Sequence, residues 1–398
     1  MVNYSWKSVT LSQIGTFQKG SGISRAESNS GVLPAVRYGE LYTVHNNYVR
    51  TYTSHISREV ASKALRVHYG DVLFACSGET KEDIAKCAAI IDNSEVYAGG
   101  DIIVLSPTTE VDPIFLGFIL NTPNVIQQRA QKAQGDAIVH ISADSIKSIE
   151  ITVPEYAEQV KIAKLLYDID TLIVNLEKLI AKKKAIKLGA MQELLTGKRR
   201  LPGFDGEWVD LEIGKHGHLL RESIDPQAHP NVMFSEYSMP AFDDGQMAVK
   251  KYGADMHSNR TAIYGTVLLF NKLNVRQKRI WLVNAMENHA VCSSEFLPYY
   301  SETIDLRLLQ QLLSTEKITN DFIGMSTGTS NSQKRITPKN FLEYTVYVPR
   351  DINEQAAIAD ILADMDSEIS QLQQTLEKYR LIKQGMMSEL LTGRIRLV

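Results

Sequence analysis

Four cations, Lys272, Arg276, Lys278 and Arg279, fall within the ten-residue run Lys272-Leu273-Asn274-Val275-Arg276-Gln277-Lys278-Arg279-Ile280-Trp281, with amides and an aromatic among them. Cations hold phosphates, while Arg, Lys, Asn and Gln can also read base edges. A second small-polar run, Gly328-Thr329-Ser330-Asn331-Ser332-Gln333-Lys334-Arg335, ends in two more cations, and Arg260 follows Ser258-Asn259. Nearer the amino terminus the same residue types stand as Lys19, Arg25, Arg37, Lys81, Arg129, Lys132 and His140. Each of these taken alone reads as a solvated surface residue. Together they point to nucleic acid, with Lys19, Arg25, Arg37, Lys81, Lys132, His140, Arg260, Lys272, Asn274, Arg276, Lys278, Arg279, Asn331, Lys334 and Arg335 as the candidate contacts.

Catalytic signatures are missing. No G-x-x-x-x-G-K-[ST] phosphate loop occurs, since Gly197-Lys198 is followed by Arg199. No G-x-G-x-x-G opens a helix, and no Asn-Pro-Pro-aromatic or Asp-Pro-Pro-aromatic segment could grip a flipped base. His216-x-His218 reads as two surface imidazoles beside a turn, and Asp243-Asp244 as turn residues, so no metal site is expected. The chain reads as non-catalytic. Its net charge of −3 excludes a globally basic, histone-like binder but not one with its cations gathered on a face. Three cysteines without a C-x-x-C pair argue against a disulfide framework and for a reducing cytoplasm. The longest apolar run, Ile114 to Leu120, is far short of the ~20 residues a membrane span needs.

These residues must be held by something, and the chain's clearest feature is a repeat. Glu158-Gln159 recurs 196 residues on as Glu354-Gln355, and the match runs without a gap through Leu201 and Leu397 with roughly half the positions identical. Both copies carry apolar residues alternately four and three apart: Ile162, Leu166, Ile169, Ile173, Leu176 and Ile180, then Ile358, Leu362, Met365, Ile369, Leu372 and Leu376. A 3.5-residue period keeps one seam toward a partner helix. One such stripe commonly packs on its own domain; two matched stripes are most simply satisfied by each other. Asp351 with Glu354 resembles a capping box, and Gly197 and Gly393 suit the left-handed residue that ends a helix. Lys182-Lys183-Lys184 with Lys187 forms a basic run that could face phosphates, an acidic partner or solvent.

More loosely, Trp6 to Leu11 is echoed by Trp208 to Leu211, and Ile141-Ser142 with Ile151 to Pro154 by Ile336-Thr337 with Val346 to Pro349. Between these anchors the two regions share almost nothing. The expected fold is therefore α+β: two unlike mixed globules, 1–154 and 201–349, separated by helical regions 155–200 and 350–398 that pair as an antiparallel coiled coil with an internal pseudo-two-fold repeat. Strands are expected around Asp101 to Leu105, Val267 to Phe270 and Ile280 to Val283, and helices around Ile114 to Gln128 and Leu306 to Leu313.

The helical segments resemble the specificity subunit of type I restriction–modification enzymes. The resemblance rests on Glu158-Gln159, Ile186-Lys187, Gly189, Met191, Leu194-Leu195-Thr196-Gly197-Lys198 and their second copies through Leu390-Leu391-Thr392-Gly393-Arg394. The globules are similar to that family's target-recognition domains at Val36 to Leu41, Gly70 to Phe74 with Ser77-Gly78-Glu79, Ala98 to Asp101, Ser238 to Asp243 and Ser258-Asn259-Arg260. The Lys272 to Trp281 stretch departs from its subtype in having Asn271 for the usual Ser and Val275 for the usual Pro.

What the resemblance implies is a subunit that chooses the DNA sequence. Two modification subunits would methylate adenine with S-adenosylmethionine, restriction subunits would add ATP- and Mg-dependent translocation and cleavage, and this chain would bind no cofactor of its own. Leu194, Leu195, Thr196 and Gly197, with Leu390, Leu391, Thr392 and Gly393, would offer two near-equivalent docking sites. If the helices lie antiparallel, ~33 residues at ~1.5 Å each span ~50 Å. That is ~15 base pairs at ~3.4 Å each. The expected target is two short, different segments of double-stranded DNA around an unread spacer. The competing reading is a coiled-coil adaptor carrying two protein-binding globules.

Overall fold

A computed structural model describes residues 6–135, 138–328 and 333–397. The chain divides into two compact units, Met1–Glu177 with Gln374–Val398, and Lys178–Gln373. The long helices are not separate regions. Each of them, Tyr156–Leu194 and Ile352–Leu390, contributes one part to either unit. Among the described residues no helix is long and apolar enough to cross a membrane.

In the first unit a five-stranded sheet runs in the order Gly15–Lys19, Ile102–Pro107, Val72–Ala75, Cys87–Ile90, Asn47–Val49. A four-stranded sheet of Ser54–Ile56, Leu33–Val36, Val96–Ala98 and Leu65–Val67 covers one side. The strand Val72–Ala75 shows why its sequence is apolar throughout. Alternate side chains leave opposite faces. Val72 and Phe74 join the core shared with the helices, while Leu73 and Ala75 join the core shared with the second sheet. Pro113–Ile119 and Pro123–Lys132 are the helices of that first core.

The second unit repeats the plan with other side chains. Its four-stranded sheet runs His218–Leu219, Phe296–Tyr300, Gly265–Asn271, Ile280–Ala285, and a five-stranded sheet includes Arg260–Ala262 and Met233–Tyr237. Leu268 and Phe270 face the helices Leu306–Leu313 and Glu316–Met325, and Val267 and Leu269 face the other way. Each globule is closed by a two-stranded ribbon joining its ends: Lys7–Thr10 with Glu150–Val153, and Trp208–Glu212 with Thr345–Pro349.

The retained helix residues now have physical roles. In the first unit Gln159 Oε1 accepts from Asp112 N at 3.1 Å and its amide donates to Pro154 O at 3.0 Å. In the second unit Gln355 Oε1 accepts from Asp305 N at 2.9 Å and donates to Pro349 O at 2.8 Å. Asp112 and Asp305 themselves cap the helices that follow them, so each glutamine fixes a helix start to a strand end. Arg396 forms a two-pronged pair with Glu158 at 2.7 and 2.9 Å, and Arg200 forms the matching pair with Glu354 at 2.8 and 2.7 Å. Arg396 and its hydrogen bonds hold the Glu158 carboxyl below the usual range. The expected capping box at Asp351 does not form. Glu354 is spent on Arg200, and Asp351 instead accepts from Asn353 N at 2.9 Å.

In the first unit Asp170 pairs with Lys383, and Glu177 with Arg380; in the second, Lys183 pairs with Glu368 and Lys187 with Asp366. Ascending positions on one helix meet descending positions on the other, so the helices pack antiparallel within each unit. This settles Lys183 and Lys187 differently from all three sequence readings: they are interhelical partners. The apolar stripe also divides. Ile162 and Leu166 are fully buried in the first globule's core, and Ile358 and Leu362 in the second's. Ile169, Ile173, Ile180, Ile369 and Leu376 are buried outside those cores, with Leu176 and Leu372 half-buried, as a helix-to-helix seam requires. Met365 is half-buried against the second core.

Gly197 and Gly393 both stand at φ 70°, the left-handed region where a side chain is strained. A Cβ on either would sit 3.1 Å from an indole, Trp208 or Trp6 respectively.

Candidate nucleic-acid interface

In each globule the central hairpin ends in a loop that lies across a second segment, and the two constructions share their anchoring hydrogen bonds. In the first, the loop between Val72–Ala75 and Cys87–Ile90 is held by Ala75 N to Lys86 O at 3.1 Å and by Ile141 N to Cys76 O at 3.1 Å. In the second, the loop between Gly265–Asn271 and Ile280–Ala285 is held by Asn271 N to Arg279 O at 3.1 Å and by Ile336 N to Lys272 O at 3.0 Å. Both loops end on a left-handed non-glycine residue, Ala85 at φ 57° and Lys278 at φ 49°. The crossing segments are pinned by equivalent bridges, Gln134 with His140 and Thr327 with Arg335.

Within this shared frame the side chains differ. In the first globule the strand Ser77–Gly78 pairs with Val139–His140. Ser77 Oγ shares a hydrogen bond with exposed His140 at Nδ1, 3.0 Å, and Tyr42 donates to Ser77 O at 3.0 Å. A Cβ on Gly78 would come within 2.7 Å of the Tyr42 hydroxyl, which accounts for glycine there. Lys81 is exposed on the loop. Lys19 and Arg25 are exposed elsewhere on the globule, and Lys132 ends the helix Pro123–Lys132 half-buried. Arg37 is not free: its Nε donates to Ser54 at 3.3 Å and lies 3.7 Å from buried Glu40.

Arg129 corrects the surface reading outright. It is only 2% exposed, and its guanidinium donates to Ala85 O at 2.6 Å and Asn121 Oδ1 at 3.4 Å. Burial depresses its pKa, and among the described residues no carboxylate pairs with it. It fixes the left-handed end of the loop from beneath. The second globule fills the equivalent helix position with Phe322, packed on Phe270 and Phe341.

In the second globule ion pairs sort the candidates. Arg260 and Lys251 both bind the carboxylate of Glu236, which is 2% exposed, at 2.7 and 2.8 Å. Burial opposes that charge, yet the two cations hold the Glu236 pKa low. Arg279 grips Asp243 at 2.6 and 2.8 Å, Lys278 meets Glu316 at 2.5 Å, and Arg335 meets Glu295 at 3.0 Å. Of these, Arg260, Arg279, Lys278 and Arg335 are candidate DNA contacts, and all four are engaged in ion pairs within the globule. Lys272, Asn274, Arg276, Gln277 and Lys334 have no side-chain partner among the described residues, and Asn274, Arg276 and Lys334 line one small notch. Asn331 lies outside the described residues.

Sequence reading missed the shared frame because the repeat offset drifts from 196 at Glu158 and Glu354 to 195 at Ile141 and Ile336 and 193 at Ala85 and Lys278. A gapped comparison anchored on Gly135 and Gly328, both at positive φ, would have aligned the loops.

Each unit also carries an apolar groove at the end of a long helix. In the first, Gln384, Met387, Ser388, Leu391 and Thr392 line a cavity of about 840 Å³ with Pro123 and Ile151. In the second, Leu188, Met191, Gln192, Leu195 and Thr196 line about 610 Å³ with Glu316 and Val346. Of the residues expected to dock partners, Leu194, Leu195, Leu390 and Leu391 all belong to the cores, and Gly197 and Gly393 sit against tryptophans. Leu195, Thr196, Leu391 and Thr392 reach the grooves.

The model of the type I restriction modification DNA specificity domain matches residues 3–188. The chain is 23% identical over 369 residues to the type I restriction enzyme MjaVIII specificity subunit of Methanocaldococcus jannaschii, covering 85% of this chain and 82% of that one. Its fold is similar to the type I restriction–modification S subunit from M. genitalium, with a TM-score of 0.65 and 13% identity over 98% of this chain and 97% of that one. A chain from a structure of type I restriction–modification complex assembly aligns at a TM-score of 0.50, 13% identical, over 97% of each.

Proposed function

We propose, from the premise that this chain belongs to the type I restriction–modification specificity family, that it reads an asymmetric, bipartite DNA target. One observation carries the reading: two loops anchored by matching hydrogen bonds present different side chains. A common frame suits a common ligand, double-stranded DNA, while the unlike residues suit unlike sequences, so the two half-targets differ. Lys272 and Lys334 at the second loop, unpaired among the described residues, suit the phosphate contacts such binding needs.

Specificity subunits are generally non-catalytic, and the chain's role is to position other subunits. The paired grooves at the Leu-Leu-Thr-Gly helix ends support docking of two modification subunits, one on each repeat, with restriction subunits joining the complex. S-adenosylmethionine, ATP and Mg belong to those subunits.

The test is adenine-methylation mapping in a host expressing the chain with its modification subunits. A single two-part motif that appears only with this chain supports the reading. Methylation that is absent, or indifferent to the chain, refutes it. Binding of the complex to a duplex carrying that motif should also weaken steeply with salt, since each phosphate contact adds about 0.9 to the log–log slope.

A further inference from the structure

We infer that Arg276 and Gln277 are the specificity-determining side chains of the second globule, borne on a rigid turn and reading base edges; this rests on the DNA-recognition reading above. The turn Val275–Gln277 is bracketed by two left-handed non-glycine residues, Asn274 at φ 51° and Lys278 at φ 49°. Such conformations persist only where the surroundings impose them, and they gather at functional sites. Here the surroundings are explicit. Asn274 N donates to Lys334 O at 2.9 Å, Gln277 N to Asn274 O at 3.0 Å and Lys278 N to Val275 O at 3.0 Å. Val275 is buried in the core, and the Lys278 side chain is tied to Glu316.

What this rigid turn exposes is Arg276 and Gln277, neither with a side-chain partner among the described residues. Their neighbours Lys278, Arg279 and Arg335 are neutralised by Glu316, Asp243 and Glu295. The contrast separates framing cations from reading ones. A guanidinium presents two parallel donors that match guanine O6 and N7, and a carboxamide presents the donor and acceptor that match adenine N7 and N6. Lys272 and Lys334, point charges beside the turn, match phosphates instead. A turn already fixed in shape loses little freedom on binding, so its contacts go into discrimination. The equivalent loop of the first globule carries Glu79, Glu82 and Asp83, so the inference concerns the second half-target alone.

The experiment compares methylation motifs in hosts expressing the modification subunits with the wild-type chain, Arg276→Ala, Gln277→Ala, Lys272→Ala or Lys334→Ala. Arg276→Ala and Gln277→Ala should relax the motif at one or two adjacent positions of one half. Discrimination there should fall roughly 5- to 100-fold, with the other half unchanged. Lys272→Ala and Lys334→Ala should lower methylation evenly with the motif intact. An unchanged motif in the Arg276→Ala, Gln277→Ala double variant overturns the inference. So does a uniform decline at every position. If a variant abolishes methylation, binding of its complex to duplexes changed one base pair at a time decides: position-specific loss of discrimination supports the inference, and even weakening overturns it. Failure of the wild type to direct any methylation would instead retire the broader reading.

Discussion

Arg260→Ala separates a structural cation from a DNA-reading one. Arg260 donates Nε to Glu236 Oε1 at 2.7 Å and lies 2.6 Å from it through Nη2. Glu236 is buried, and its remaining cation is Lys251 at 2.8 Å, a side chain 43% exposed. Breaking a buried pair by removing one partner costs about 3–5 kcal/mol, and a charge-assisted hydrogen bond about 1.5–3 kcal/mol. Lys251 retains part of the pairing, so a loss of about 2–4 kcal/mol is expected. In a unit of this size that corresponds to a fall of roughly 5–15 °C in melting temperature.

The pH dependence gives a second reading of the same pair. The Glu236 pKa is lowered in the folded chain, so its pairing contributes fully above the unfolded value near 4.5 and is lost as pH falls through the folded one. The gap between wild type and Arg260→Ala should therefore be widest at neutral pH and close as the solution is acidified. Denaturant titrations at pH 7, 5 and 4, with Glu236→Gln and the double variant completing the cycle, measure it. A loss under about 1 kcal/mol, or a gap indifferent to pH, would refute the reasoning. At permissive temperature the variant should keep the methylation motif, since a residue turned inward reads no base.

Gln355→Ala should cost about 1–3 kcal/mol in denaturant midpoint, because it strands Asp305 N and Pro349 O in a buried place. Gly197→Ala and Gly393→Ala should each cost about 1–2 kcal/mol by the same measurement, from a left-handed alanine pressed on an indole. Burial pushes the Cys87 thiol up to about 11 and the Cys292 thiol up to about 12. At pH 8 neither should react with a disulfide reagent in the folded chain, and both should react once it is unfolded.

The helices, their glycine stops and the antiparallel partnership were legible in the sequence because they depend on spacing within short windows. The strands at Val267 to Phe270 and Ile280 to Val283 were legible for the same reason, and the structure extends them only to Gly265–Asn271 and Ile280–Ala285. The state of each cation was not. Arg276 and Arg279 are three positions apart and identical in kind, yet only Arg279 meets a carboxylate, that of Asp243. Such pairing is decided by chain brought in from elsewhere, which local pattern does not encode. Arg129 reads as an ordinary helix-end cation; only the packed globule shows it lying beneath Ala85.

The two-pronged pairs at the helix ends carry an evolutionary consequence. Glu158 and Arg200 lie in one copy of the duplicated helix, Glu354 and Arg396 in the other, and each glutamate is gripped by the arginine of the opposite copy. Both clasps thus sit at the borders of the duplicated segment. Genetic exchange across those borders can replace the whole interior of a globule, loops included, while leaving the clasps untouched. On the proposed reading, one recombination event then supplies a new half-target with the clasps that hold its globule already in place.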